Sequence, residues 1–185
     1  LISSKYEISF NFVPFASELP EASKRHTSTI IVNDENATSV SLPLSDHWET
    51  IKADLGSETV NYLRYYLLDA SDNVVTTGSL SNDKGISFEN NNIIGNYWLK
   101  PSETVFDKDM LDFTATVTSG KIYDYKFVVL LSSKDAIYDE KSLAQEPTLE
   151  SMFTYSIGVE PAKEITILKL VENDAKSVTL NLYDD

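Results

Sequence analysis

Apolar residues alternate with polar ones along much of this chain, and the alternation constrains the fold more than any other feature. The segment 111–117, read as LDFTATV, places every second residue on an apolar row. Because successive side chains of a β-strand point to opposite faces, this period of two predicts half-buried strands. Turn signals between such segments favour hairpins, so we expect an all-β fold, an antiparallel β-sandwich with one or two short helices.

The same pattern assigns individual elements. Two segments are expected to be short helices: residues 47–55, with Asp46 and Glu49 as a capping box and Gly56 after the end, and residues 147–153, with Thr148 as the N-cap. Hairpin turns are expected at 69–73 and 119–121, and residues 82–101 read as a loop. The predicted strands cover 6–12, 28–33, 40–44, 60–68, 74–80, 111–117, 123–131, 163–171 and 177–183.

One predicted strand differs from the rest. The segment 60–68 (VNYLRYYLL) is apolar or aromatic on both faces, which is typical of a strand in the centre of a sheet that is covered on both sides. A chain of 185 residues can bury roughly 70% of its unfolded surface, enough for one core. We therefore expect a single domain over 1–185. The alternative is a sandwich over 1–160, with 161–185 beginning a second, truncated domain.

Charge narrows the range of partners. The chain has 15 Lys and Arg residues against 29 Asp and Glu residues, a formal charge of −14. Such a surface repels phosphate backbones and anionic lipids, so we expect neither nucleic acid nor direct membrane binding. The opening residues 1–5 lack a signal-peptide pattern, and the absence of an initial Met suggests a mature or trimmed product.

No residue pattern predicts catalysis, a cofactor or a metal. Cysteine is absent, and the two histidines, His26 and His47, have no metal-ligand spacing and are expected to be solvated. The acidic groups at 69–72 and 107–112 do not match a calcium loop, so turn and strand-entry roles are expected for them. We therefore predict a protein that is not an enzyme.

Two kinds of binding site remain. The first and last predicted strands carry full apolar faces and are candidate partner strands, unless both simply pair within their own sheets. The alternative is a glycan platform, in which Tyr97 and Trp98, in a loop after an Asn run, stack on a sugar. The candidate partner-strand residues are Tyr6, Ile8, Phe10, Phe12, Val178, Leu180 and Leu182.

Several segments, taken in order, resemble the N-terminal domain of the fimbrillin-like surface proteins of Bacteroides-type bacteria. This superfamily includes fimbrial subunits and minor anchor or accessory lipoproteins. The segments are the opening strand 6–12, the strand and turn 62–75, the segment 112–120, the strand 125–131, the short segment 147–150 and the closing stretch 165–182.

The resemblance implies a transthyretin-like sandwich that is exported to the outer-membrane surface of a Gram-negative bacterium. It also implies a role in adhesion or fimbria assembly, with protein partners that include further copies of the subunit. Membrane attachment would come only through a lipid on an upstream Cys that this chain does not contain. Polymerising members are cut by an Arg-specific protease to free a groove for a partner's strand. Arg25, which follows Lys24 in a predicted loop, is the candidate processing site.

Overall fold

The computed structural model of the chain describes residues 19–75, 78–89, 96–98, 105–117, 120–135, 137–139, 142–145 and 147–161. The predicted strands 6–12, 163–171 and 177–183 lie outside these residues, and so do all seven candidate partner-strand residues. The elements in chain order are β1 (Arg25–Ile31), β2 (Ser39–Pro43), α1 (Trp48–Leu55), β3 (Tyr62–Leu68), β4 (Ser79–Ser81), β5 (Ser87–Glu89), β6 (Asn96–Trp98), β7 (Asp112–Thr116), β8 (Lys126–Ser132), β9 (Ile137–Asp139), β10 (Ser142–Gln145) and β11 (Ser151–Gly158). Short 3-10 turns cover Ala22–Lys24, Leu44–His47, Lys108–Met110 and Ile122–Asp124.

The described strands form two main sheets and one two-stranded hairpin. The larger sheet has the order β1-β11-β8-β3-β6, the smaller sheet has the order β2-β7-β4-β5, and β9 pairs with β10. With α1 as the α-helix of the described residues, the protein is mostly β, which confirms that part of the prediction. One pair departs from the expected antiparallel arrangement, because β1 runs parallel to β11.

Both main sheets contribute to one hydrophobic core. Leu42 on β2 and Phe113 on β7 belong to the same buried cluster as Leu63 on β3 and Phe127 on β8. A second, smaller cluster lies on the opposite face of β3 and β8 and includes Tyr62, Tyr66, Val128, Leu130 and Leu149. Every residue of β3 is buried, and β3 lies between β8 and β6, so the prediction of a central strand covered on both faces is confirmed.

The helix predicted at 47–55 is present, but it begins differently from the prediction. Gly56 ends α1 in the left-handed conformation, with φ of 62°, and its N–H donates to the Lys52 carbonyl. The capping box is wrong, because His47 is the N-cap and no side chain caps the helix. Asp46, the expected N-cap, instead lies within the 3-10 turn Leu44–His47, which leads directly into α1.

The second predicted helix is wrong. Residues 147–150 form neither helix nor strand, and the chain continues into β11, which contains Phe153. Alternate residues of β11 are buried, and the strand is hydrogen-bonded on both sides, to β1 and to β8. Because those two neighbours satisfy its backbone groups, the local helix-start signal at Thr148 is overridden.

The two predicted hairpins have different outcomes. At 69–73, Asp69 Oδ1 accepts the N–H groups of Ser71 and Asn73, a side-chain-stabilised turn that confirms the turn role. The returning chain makes one bridge, Val74 to Leu68, and β4 then joins the other sheet.

The hairpin expected at 119–121 is wrong. β7 and β8 belong to different sheets, and Ile122–Asp124 forms a 3-10 turn where the second strand was expected to start. The loop predicted over 82–101 is wrong as well, because it contains β5 and β6.

Candidate functional site

The candidate site is the outer edge of β1, the first strand of the larger sheet. β1 pairs with β11 over seven consecutive residues, and its ladder has no bulge. On the described part of the chain, no strand lies on its other side. An edge of this kind presents a row of unpaired backbone donors and acceptors to solvent.

The ladder itself shows which backbone groups point outward. The Val32 N–H donates to the Gly158 carbonyl, just beyond the end of β1. In a parallel ladder, alternate residues of a strand turn both backbone groups toward the same neighbour. His26, Ser28 and Ile30 therefore share the direction of Val32, toward β11, while Arg25, Thr27, Thr29 and Ile31 turn theirs away from β11.

One of these outward groups is already used. The Arg25 N–H donates to the Ala22 carbonyl at the end of the 3-10 turn. The side chains of the four outward residues are exposed as well, and half of the Ile31 surface, 50%, is accessible. Within the described part of the chain, the edge thus offers Thr27, Thr29 and Ile31 as full donor–acceptor pairs, together with the Arg25 carbonyl.

The first half of β1 is fastened to α1 and β11 by a compact polar cluster. His26 Nε2 lies 2.7 Å from Asp54 Oδ2, and Ser151 Oγ donates to the same oxygen at 2.6 Å. The Lys24 ammonium donates to the Asp54 carbonyl at 2.8 Å. Because Asp54 lies near the end of α1 and Ser151 begins β11, one carboxylate joins three elements.

Aromatic packing supports the same region. The rings of His26 and His47 lie 4.8 Å and 5.0 Å from the ring of Phe153, which is buried in β11. The expectation of two solvated histidines is therefore wrong, since both rings are half-buried against the core. The far end of β1 is held by the Tyr123 hydroxyl, which donates to the Val32 carbonyl at 2.6 Å. A strand held at both ends presents its edge in a fixed geometry.

The other outer strands are shorter. β2 has five residues and ends at Pro43, while β5 and β6 have three residues each. Short strands and proline are among the features by which natural sheets blunt their edges. β1 has seven residues and contains no proline. It is the longest outer strand of the two main sheets in the described residues, and the least protected.

Charge is unevenly distributed along this edge. Glu21, Lys24 and Arg25 precede or begin the strand, and β1 itself contains no acidic residue. Asp34 and Glu35 follow its end, where Glu35 pairs with Lys121 at 3.6 Å. The edge therefore has a basic end and an acidic end on a chain of formal charge −14.

The polar cluster does not have the geometry of a hydrolytic triad. In such a triad, histidine lies between the serine and the carboxylate and takes the serine proton. Here the Asp54 carboxylate lies between Ser151 and His26, so the Ser151 hydroxyl donates to an acid and has no base. No group of three or more His, Asp or Glu side chains suited to a metal ion occurs among the described residues.

Burial and hydrogen bonding change the ionisation of two other groups near this sheet. At Glu150, burial raises the pKa, but the Ser133 N–H and hydroxyl, with Lys134 and Ser132, outweigh it, so the pKa is lowered overall. Burial raises the pKa of the Tyr155 hydroxyl, and the carboxylates of Asp112 and Asp46 raise it further. The Tyr155 hydroxyl is buried and has no hydrogen-bond partner among the described residues.

The structure places the remaining predicted residues as follows. Arg25 is the first residue of β1, paired with Met152, so its expected position in a loop is wrong. Tyr97 and Trp98 lie in β6, opposite Tyr65 and Arg64 of β3, and not in a loop. The glycan platform stays a prediction, as do the partner-strand roles of residues 6–12 and 178–182.

Sequence reasoning placed a strand at 28–33 but did not single out its edge. The available signal was the run TSTIIV at 27–32, which is rich in β-branched residues and free of the proline and charge that protect edges. Comparison with protein-family models, with curated proteins and with solved structures returned no match. No helix in the described residues is long and apolar enough to cross a membrane.

Proposed function

We propose that this chain is a non-enzymatic, exported cell-surface protein, a fimbrial subunit or anchor or an adhesin-like module, that acts through strand-edge contacts with other proteins. One observation carries the proposal: the seven-residue edge of β1, on whose outer side none of the described strands lies. The two main sheets with their common core are consistent with the transthyretin-like β-sandwich that the family resemblance implies. The outer-membrane surface of a Gram-negative bacterium is the proposed location.

Strand addition explains how such an edge would bind. An extended segment of a partner that aligns with β1 satisfies the outward N–H and C=O groups of Thr27, Thr29 and Ile31, which supply affinity without a deep pocket. The exposed side chains of the same residues would distinguish between partners. Because β1 is anchored through Asp54 and Val32, little ordering would be needed on this side of the complex.

The test removes the outward donors and leaves the ladder to β11 intact. In the double variant Thr27→Pro/Thr29→Pro, two outward N–H groups are lost, and the matched control Thr27→Val/Thr29→Val keeps both of them with side chains of similar shape. Each variant would replace the chromosomal copy in the source bacterium. Adhesion of the cells and fimbriae on their surface would then be measured.

We expect the proline variant to lose adhesion or fimbriae while the valine variant retains them. Labelling of intact cells with an antibody against the folded chain should give equal surface signal for both variants. Normal adhesion and fimbriation by a folded, surface-exposed proline variant would contradict the edge mechanism. Absence of surface labelling for the wild type would contradict the proposed location.

A further inference from the structure

We infer that the partner of the β1 edge is β1 of a second copy of this chain, so that two molecules pair edge to edge around a twofold axis at Ser28. This inference rests on the proposed strand-edge function and names the partner of that edge. It is based on the outer edge of β1, whose outward backbone groups can pair with those of a second β1 and whose two ends carry net charges of opposite sign.

The outward positions define the register. Two antiparallel strands form hydrogen-bonded pairs only where residues with outward backbone groups oppose each other. A twofold axis at Ser28 places Thr27 opposite Thr29 and Arg25 opposite Ile31, and symmetry repeats both pairs. All four outward residues are then used, whereas an axis at Thr27 would leave Ile31 opposite the 3-10 turn that precedes β1.

The hydrogen-bonding capacity of this register is considerable. Four hydrogen-bonded pairs would exchange eight backbone hydrogen bonds. Two of these eight bonds cannot form, because the Arg25 N–H of each copy already donates to its own Ala22 carbonyl. Six intermolecular bonds remain. The larger sheet of each copy would then continue into that of the other, and the twofold arrangement closes the assembly at two molecules through this edge.

Charge favours the antiparallel arrangement. In this register the end of one copy that carries Glu21, Lys24 and Arg25, with a net positive charge, lies alongside the end of the other that carries Asp34 and Glu35. Glu35 also pairs with Lys121 of its own copy at 3.6 Å, so Asp34 supplies most of the opposing negative charge. β1 contains no acidic residue, so the strongly negative chain contributes no direct carboxylate repulsion along the paired strands. The exposed Ile31 side chain would pack against the aliphatic part of Arg25 across the pair.

Two double variants of the full chain distinguish this partner from any other. In Thr27→Lys/Thr29→Lys, the twofold pairing places lysine opposite lysine twice, and in Thr27→Lys/Thr29→Glu it places lysine opposite glutamate twice. Sedimentation velocity over a concentration series measures the dissociation constant of the dimer. We expect a reversible dimer for wild type, a dissociation constant raised at least about tenfold for the first variant, and retained dimerisation for the second.

Cross-linking checks the register independently, because the chain contains no cysteine. Paired positions in an antiparallel sheet fall within the Cα separation that a disulfide tolerates. A mixture of Thr27→Cys and Thr29→Cys chains should therefore oxidise mainly to the mixed dimer. Each variant alone should oxidise poorly, since its own thiols lie diagonally across the pair.

Several outcomes would overturn the inference. A wild-type chain that stays monomeric at every concentration would do so, as would equal dissociation constants for the two lysine-containing variants. These results leave the proposed function standing if the proline variant still abolishes adhesion, because the edge would then bind a different protein. A dimer that survives Thr27→Pro/Thr29→Pro unchanged would place the contact elsewhere on the molecule.

Discussion

Two tyrosine hydroxyls illustrate what single residues contribute to this fold. The Tyr155 hydroxyl is buried and finds no hydrogen-bond partner in the described part of the chain, whereas the Tyr123 hydroxyl donates to the Val32 carbonyl at 2.6 Å. Because an unsatisfied buried group is costly, Tyr155→Phe should leave the free energy of unfolding unchanged or raise it by about 1 kcal/mol. Tyr123→Phe should lower it by about 1 kcal/mol. Urea unfolding of both variants is the measurement, and a larger loss for Tyr155→Phe would reveal a partner such as a buried water.

Glu150 provides a pH-dependent prediction at the same scale. Its pKa is lowered in the folded state: burial raises it, but the Ser133 N–H and hydroxyl bonds, with Lys134 and Ser132, outweigh burial. The ionised form thus stabilises the fold fully above the unfolded pKa of about 4.3, and this stabilisation is lost as the pH falls through the folded value. Glu150→Gln should therefore flatten the fall in unfolding free energy below about pH 5.

Glu58→Gln, at an exposed position, serves as the control for that experiment. The unfolding free energy of each variant is measured by urea titration from neutral to acidic pH. An acid limb of the same steepness in wild type and Glu150→Gln would show that the carboxylate does not contribute.

At the scale of the element, β1 shows that neighbouring residues of one strand have different roles. The Ser28 N–H points toward β11, while the Thr27 N–H points away from it. Ser28→Pro should therefore remove a ladder bond and lower the free energy of unfolding by about 2–3 kcal/mol, and Thr27→Pro should cost less than about 1 kcal/mol. Urea unfolding checks both, and equal losses would mean that the alternation has been assigned to the wrong residues.

Across the whole molecule, the two main sheets depend on one core. Leu42 on β2 and Leu63 on β3 are both fully buried in it, although they belong to different sheets. Leu42→Ala and Leu63→Ala should each lower the free energy of unfolding by about 2–5 kcal/mol and shift one cooperative transition. Circular dichroism and tryptophan fluorescence, followed together in urea, should coincide. Separate transitions would show that the sheets unfold independently.

The alternation along the sequence predicted β2 and β7 and which of their residues are buried. β7 was predicted well because a two-residue period directly reports which face of a strand is covered, whereas β3 was predicted from a run that is apolar or aromatic on both faces. The left-handed end of α1 at Gly56 was predicted for a similar reason, since glycine tolerates that conformation locally.

Only the tertiary structure decided which strands are neighbours. The parallel pairing of β1 with β11, the separation of β7 from β8 and the strand at 151–158 all depend on hydrogen bonds between residues distant in sequence. Local patterns cannot specify such partners, since any strand offers the same backbone donors and acceptors. The candidate site also depends on the tertiary structure. The run at 27–32 predicted a strand, but its outer edge is a candidate site only because β11 occupies one side and no described strand occupies the other.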